Sequence, residues 1–391
     1  MYNLINILKK IKRLKHRKFN FSKPQKENIL IYREDGKKII FKLFNKENIK
    51  VLDPEYEINL YILVFVFFKC LKAEFFWVPY IKKYVEIVRP KIFITRIAND
   101  IKFYLIKDDN NNNNTKFIAI QNGLNIGNHI FLDKFYFDKK NLSLKADKIL
   151  CFGEADKLTF QNIIESEFLI TGSILNNQII KKKSKKNKNI LFLSVFRHRD
   201  SEISTTSYKE YFRNITYKEF YLLEKKLIKF LINYCNENEY KLLIAGTRES
   251  QYLIEKEKKF YEKLLGTSAG WEFKPKLSSS SNYLLSDQSE ITVNIESCLG
   301  YESFARGNKV AFFSCRGNHL KIDNYDFKLH NSIYKNEGYF WTSVYNEKKF
   351  KLILDKLRTI SEIEWANHLK DFRKNFFSYD PGNKIANNYI N

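Results

Sequence analysis

Short apolar runs without polar alternation constrain this chain more than any other feature. Asn28–Tyr32 (NILIY), Lys91–Thr95 (KIFIT), Lys116–Ile120 (KFIAI), Lys148–Phe152 (KILCF) and Phe168–Thr171 (FLIT) form one series. Ile190–Val195 (ILFLSV), Lys241–Ala245 (KLLIA), Ile291–Ile295 (ITVNI) and Lys309–Phe313 (KVAFF) form a second. A strand with one wet face alternates, whereas a strand covered on both faces does not, so these runs predict buried parallel strands. Stretches of helical character separate them, at Lys218–Cys235, Glu255–Leu265 and Leu299–Arg306. Between the two series lies Lys181–Asn189 (KKKSKKNKN), which contains no apolar residue. The expected architecture is α/β: two Rossmann-like domains facing a cleft, spanning residues 23–180 and 190–391, with residues 181–189 as a basic linker. The C-terminal helices are assigned to the second domain.

At 391 residues the chain is long for one ordinary core and suits two. Lys and Arg outnumber Asp and Glu by 68 to 44, giving a net charge of +24 that favours anionic partners, although a composition rich in Lys, Asn and Ile is basic for any function. The five cysteines are scattered, with no C-x-x-C pair and no His at ligand spacing, so neither a disulfide framework nor a zinc site is expected. Residues 1–21 lack the unbroken apolar centre of a signal peptide. The longest uncharged apolar run, Leu60–Phe68, is about half of the ~20 residues that spanning requires. A soluble cytoplasmic protein is expected. Residues 1–22 form a basic amphipathic segment: Leu4, Ile5, Leu8, Ile11 and Leu14 recur near helical spacing among Lys9, Lys10, Lys12, Arg13, Lys15, Arg17 and Lys18. That pattern suits either an anionic membrane surface on the inner face of the cytoplasmic membrane or a solvated tail.

Ligands of open parallel sheets bind beyond the carboxyl ends of the strands, so the turns there are the candidate sites. They read Arg33-Glu34-Asp35-Gly36, Gln121-Asn122-Gly123, Gly153-Glu154 and Gly172-Ser173 in the first half. In the second half they read Phe196-Arg197-His198-Arg199, Gly246-Thr247-Arg248 and Glu296-Ser297. Ser297 precedes a short helix that Gly307 can close. Its free N–H groups and partial positive charge suit an anion, with Ser297 as cap or ligand and Gly300 allowing close approach. Glu302 is placed to accept from ribose hydroxyls, and Arg306 stands one turn further on. The same residues also fit a capped amphipathic helix with a Glu302–Arg306 ion pair. Trp271–Lys276 (WEFKPK) adds Lys274 and Lys276 around a proline, as a pyrophosphate contact or as a solvated loop.

Strand, S-x-x-G-x-E, a small-residue helix ending A-R-G and then K-V-x-F-F resembles the carboxyl-terminal half of bacterial surface-carbohydrate and O-antigen biosynthesis proteins of the glycosyltransferase-B type. More distantly it is similar to capsule 3-deoxy-octulosonate transferases and CDP-glycerol glycerophosphotransferases. FIAIQNG at Phe117–Gly123 and ITGS at Ile170–Ser173 extend the likeness. The resemblance implies a nucleotide-sugar donor held by the second domain, through Ser297, Gly300 and Glu302, with the glycan or lipid-linked acceptor at the first. Related transferases often carry His-Gly and His-Pro where this chain has Asn122-Gly123 and Lys274-Pro275.

Glycosyl transfer needs charge for the departing diphosphate and, when configuration inverts, a base for the acceptor hydroxyl. The chain has no D-x-D, so no metal and no cofactor beyond the nucleotide-sugar substrate are expected; Arg248, Lys274, Arg306 and the helix end supply the charge. Gln121, Asn122 and Gly123 join the substrate-binding set. Asp35 and Glu34 are the first candidates for base, then Glu154, with His129 a further option. A nucleotide-sugar epimerase or a glycerophosphotransferase would share the donor site. A basic nucleic-acid-binding protein is the alternative of another class, disfavoured because basic residues gather in the tail, linker and helices while the strands are apolar.

Overall fold

The computed structural model describes residues 17–44, 49–107, 114–124, 143–181, 185–197, 206–208, 213–321 and 337–390, with the backbone alone at 206–208, 213, 214 and 390. The chain divides into two compact units. Unit 1 comprises Met1–Leu124, Asp133–Leu175 and Asn383–Asn391; unit 2 comprises Asn125–Leu132 and Asn176–Gly382.

Unit 1 contains, in order, β1 (Lys18–Asn20), β2 (Ile29–Tyr32), α1 (Lys37–Leu43), β3 (Ile49–Leu52), β4 (Glu57–Asn59), α2 (Leu60–Lys72), α3 (Trp77–Val88), β5 (Ile92–Thr95), α4 (Ile101–Tyr104), β6 (Lys116–Ile120), β7 (Leu144–Cys151), α5 (Glu154–Gln161) and β8 (Ile164–Ile170). Short helix α6 (Ile174–Gln178) straddles the division between units. Six strands form one sheet in the order β3-β2-β5-β6-β7-β8, every neighbouring pair parallel. Ile31, Ile94, Ile118 and Leu150 stack into one core with Ile40 of α1, and the apolar runs need that cover because both strand faces are closed. Order reverses between β2 and β5, since the chain goes from β2 outward to β3 and returns past β2 to β5. Among the described residues, no helix is long and apolar enough to cross a membrane.

Unit 2 continues with β9 (Asn187–Leu193), the hairpin β10 (Thr206–Tyr208) and β11 (Arg213–Ile215), α7 (Tyr217–Asn238), β12 (Lys241–Ala245), α8 (Gln251–Leu265), β13 (Glu272–Lys274), α9 (Ser281–Gln288), β14 (Ser289–Asn294), α10 (Cys298–Ala305), β15 (Val310–Phe313), α11 (Arg316–Leu320), β16 (Trp341–Thr342), α12 (Glu347–Thr359) and α13 (Glu362–Asn375). Its sheet runs β13-β12-β9-β14-β15-β16, again wholly parallel. Counted along the chain, that is the Rossmann order, with its reversal between β9 and β14. A complete capping box starts α7: Thr216 accepts from the Glu219 amide while Glu219 accepts from the Thr216 amide.

The division falls within the helix before the basic run, at Leu175/Asn176, and the last helix, α14 (Lys384–Ile390), joins unit 1. Ala386 enters the unit 1 core, Asn383 Nδ2 donates to Ile174 O at 3.0 Å, and the Lys148 ammonium lies 4.5 Å from the Tyr389 ring centroid. This differs from the expected assignment of the C-terminal helices to the second domain, because periodicity identifies a helix but not the sheet on which it packs.

Candidate functional site

In unit 2 the turns after β9 and β14 open at the reversal of strand order, where a parallel sheet leaves a crevice. Arg197 follows β9 there, and Arg248, on the turn after the neighbouring strand β12, reaches it at Phe196. Arg248 Nη2 donates to Phe196 O at 3.2 Å, and Arg197 Nη2 is 3.6 Å from Glu296 Oε1. Under the Gly246-Thr247-Arg248 turn, buried Glu257 accepts from the Thr247 amide at 2.9 Å, the Arg248 amide at 3.3 Å and Ser194 Oγ at 2.6 Å. Burial raises the Glu257 pKa, opposed by these hydrogen bonds. Glu257 thereby fixes the backbone that carries Arg248. No sequence signal pointed to it, because on α8 it reads as one more charged residue of a solvated face.

Ser297 is the N-cap residue of α10, and its hydroxyl makes no capping bond. The Ser297 amide instead donates to Asn294 Oδ1 at 2.8 Å, while Asn294 Nδ2 is buried without an acceptor. Gly300 has a packing reason: a Cβ there would stand 2.3 Å from Asn294 Cγ. The glycine thus admits a neighbouring asparagine, where the sequence reading expected it to admit a ligand. Glu302, one turn in, is buried and accepts from the Tyr283 hydroxyl at 2.8 Å.

Arg306 requires a correction. It does not pair with Glu302 and is not available to a diphosphate. Its Nε meets Asp287 Oδ1 at 3.1 Å and its Nη2 meets Asp287 Oδ2 at 2.5 Å; Nη1 donates to the backbone of Asn176 and Ile179. A buried guanidinium with every edge occupied ties the start of unit 2 to α9 and α10. Lys274, on edge strand β13, is ion-paired with Glu272.

Beneath the crevice lies a buried charge network that spacing could not reveal. Arg316 Nε holds Glu296 Oε2 at 2.8 Å, its Nη1 and Nη2 hold both oxygens of Glu224 at 3.1 and 2.5 Å, and its Cζ lies 3.9 Å from the Phe220 centroid. Burial raises the Glu224 pKa and the Arg316 charge opposes it. The visible signal was the polar turn Ser314-Cys315-Arg316-Gly317 after KVAFF, but its partner Glu224 is 92 residues away.

In unit 1 the reversal between β2 and β5 carries a cavity of about 530 Å³, lined by Arg33, Asp35, Arg96, Asn99, Asp100 and Asn122 among others. Arg33 adopts φ 69°, a left-handed backbone that costs a non-glycine residue of order 1–3 kcal/mol, and such strain gathers at functional sites. Its guanidinium bonds Glu55 at 2.9 Å and lies 3.5 Å from Asp100, which also accepts from the Tyr32 hydroxyl at 2.9 Å. Half-buried Arg96 has no ion pair among the described residues, and its stem crosses Gly36, where a Cβ would stand 2.2 Å from Arg96 Cδ.

Of the turn residues read from sequence, Arg33, Asp35 and Asn122 therefore meet in this cavity. Glu34 does not line it and is paired with Lys37 at the surface. Glu154 is also outside its lining and bonds Lys157 at 2.9 Å. Gln121 is corrected from ligand to strut: buried, it accepts from the Phe152 amide at 2.7 Å and donates to Gly123 O at 2.8 Å, joining the turns after β6 and β7. Gly123 has open space at its Cβ position. Residues 1–16 of the basic segment, residues 182–184 of the linker, His129, His198 and Arg199 lie outside the described residues.

Two wholly parallel Rossmann-like sheets, each with polar turns at its reversal of strand order, make up the glycosyltransferase-B fold. Solved structures agree at the level of fold. A variant of the wall teichoic acid polymerase TagF with CDPG superposes with a TM-score of 0.52 at 14% identity, covering 100% of this chain and 95% of that one. S. aureus MnaA with UDP gives 0.51 at 13% identity, covering 94% and 96%. No curated protein matches the sequence. The chain belongs to a family described as O-antigen biosynthesis proteins, whose model matches residues 118–391.

Proposed function

We propose that this chain is a metal-independent glycosyltransferase of surface-polysaccharide assembly, of the O-antigen, capsule or lipopolysaccharide kind, working from a nucleotide-sugar donor. The observation that carries the reading is the convergence of Arg197, Arg248 and the N-terminus of α10 at the strand reversal of unit 2. Two guanidinium groups and the partial positive charge of a helix N-terminus suit a diphosphate whose charge grows as the bond to the sugar breaks. The Ser297 hydroxyl adds a donor. Glu302, oriented by Tyr283, accepts from the ribose hydroxyls. Lys274 contributes charge from the sheet edge.

The acceptor, a glycan or lipid-linked glycan, belongs at the cavity of unit 1. There Asp35 takes the proton of the attacking hydroxyl as the acceptor oxygen bonds to the anomeric carbon and the nucleoside diphosphate departs. Arg96, which has no ion pair among the described residues, binds an anionic group of the acceptor. The protein works in the cytoplasm, its basic segment against the inner face of the membrane.

The test is a thermal-shift screen of UDP-, GDP-, CMP- and CDP-linked sugars, followed by an assay with and without acceptor. A true donor at about 100 times its Kd adds about 2.7 kcal/mol of stability. Transfer that needs acceptor and survives EDTA is expected. No stabilisation by any donor overturns the reading, and sugar interconversion without acceptor replaces it with an epimerase.

A further inference from the structure

Helix α2, Leu60–Lys72 (LYILVFVFFKCLK), is apolar on both faces. Ile62, Leu63, Val66 and Cys70 are buried on the side that meets α3. On the opposite side Tyr61, Val64, Phe65 and Phe68 follow one another at i, i+3, i+4 and i+7, a second stripe down the helix. Val64 is 74% exposed, Phe65 60% and Phe68 75%, and the Tyr61 and Phe65 rings are 5.2 Å apart. A helix apolar all round is ordinarily enclosed on every side, and this one is enclosed on one.

The exposed stripe does not stand alone. Asn59, the N-cap of α2, holds Ser22 O at 2.8 Å, which brings Phe21, itself 74% exposed, to the start of the helix. Exposed lysines stand at both ends: Lys18 and Lys23 beside Phe21, and Lys69 and Lys72 in the last turn. The sequence entering β1 from the N-terminal side is KKIKRLKHRK, Lys9–Lys18. Contiguous exposed aromatics mark an interaction surface, and a protein partner of ordinary composition does not call for cations at each end. Thirteen residues make a helix of about 20 Å, too short to span a bilayer but long enough to lie along its surface.

We infer that the Tyr61–Val64–Phe65–Phe68 face of α2, with Phe21 at its end, is a docking surface for an anionic lipid bilayer, the aromatics entering the acyl boundary and the flanking lysines meeting lipid phosphates. This deepens the reading of an enzyme that meets a lipid-linked acceptor, and the test is independent of transfer. Burial of the aromatic rings provides the apolar part of binding, and the lysines make it depend on lipid charge and salt.

The experiment is flotation of the full chain with phosphatidylcholine vesicles, with or without phosphatidylglycerol. Wild type is expected on the anionic vesicles only, and less at high salt. The F65S/F68S double variant, whose changed side chains are exposed and whose melting temperature should be unchanged, is expected to lose binding about tenfold or more. Lys69→Ala with Lys72→Ala should weaken binding and flatten its salt dependence. Wild-type vesicle binding by F65S/F68S overturns the proposal, as does equal binding to neutral vesicles. So does a wild-type dimer that F65S/F68S converts to monomer without change in vesicle binding, which would make a second copy the occupant. Donor binding by thermal shift in the same samples keeps the two readings apart, since failure at the vesicle leaves the donor site standing.

Discussion

The Tyr283 hydroxyl donates to Oε2 of Glu302 across 2.8 Å, both side chains buried, and so orients a carboxylate one turn inside the N-terminus of α10. Burial first, and then the Glu302 charge, push the Tyr283 pKa well above its usual value, so it remains a donor at all working pH values. Glu302→Gln keeps an acceptor for Tyr283 while removing the charge. Donor affinity should fall about ten- to a hundredfold, the loss of one charge-assisted hydrogen bond, with little change in melting temperature. Calorimetry with the donor checks it; unchanged affinity removes Glu302 from the site.

Arg306 should behave oppositely. Replacing it with Met leaves Asp287 buried without its cation, and breaking such a pair costs ~3–5 kcal/mol. Chemical denaturation should show that loss, and the folded fraction should bind donor as wild type does. Weaker donor binding with normal stability would return Arg306 to the anion site.

Gly300→Ala forces a Cβ against Asn294 and should destabilise by ~1–3 kcal/mol. Adding Asn294→Ala should recover part of that loss, giving a non-additive cycle in urea melts. Strict additivity would mean that the glycine serves something other than Asn294.

Arg96→Ala removes a guanidinium that has no ion pair among the described residues, so stability should hold. Transfer should fall about ten- to a hundredfold through a raised acceptor KM, with donor affinity unaffected. A change in donor affinity alone would move Arg96 out of the acceptor's cavity.

His319 is a stability sensor. Burial, and then Lys226 and Arg316, lower its pKa below 6.5. The unfolded chain therefore binds more protons below about pH 6.5, and stability is lost as pH falls from there through the folded pKa. His319→Gln should show a smaller loss of melting temperature between pH 7 and 5 than wild type. Parallel curves would assign the acid sensitivity elsewhere.

The central strands were legible because both their faces are covered: ILIY, IFIT and VAFF are apolar at every position but the last of IFIT. The edge strands β3 and β16 were not. IKVL of β3 carries a lysine on a half-buried rim, and β16 is a pair of residues, too short to show a pattern, that pairs with β15 and bridges to Glu337. The cap and helix of α10 could be read because they are local. The partners of Glu302 and Arg306 could not, since Tyr283 and Asp287 both lie on α9, nineteen residues earlier, and nothing in the spacing favours them over an i, i+4 pair. Arg33 was visible as a turn residue, but its left-handed backbone and its meeting with Arg96 at one cavity depend on β2 and β5 lying side by side.

The return of α14 to unit 1 governs how the molecule can be made. A ribosome delivers all of unit 2 before it delivers Ala386 and Tyr389, so the first sheet must wait with an open seam beside Ile174 and Lys148 while some two hundred later residues emerge. Unit 1 cannot then be excised as a simple N-terminal fragment. A functional half would need residues 383–390 supplied separately or spliced after Leu175, and a nonsense mutation just before Asn383 would damage the half of the protein that is synthesised first.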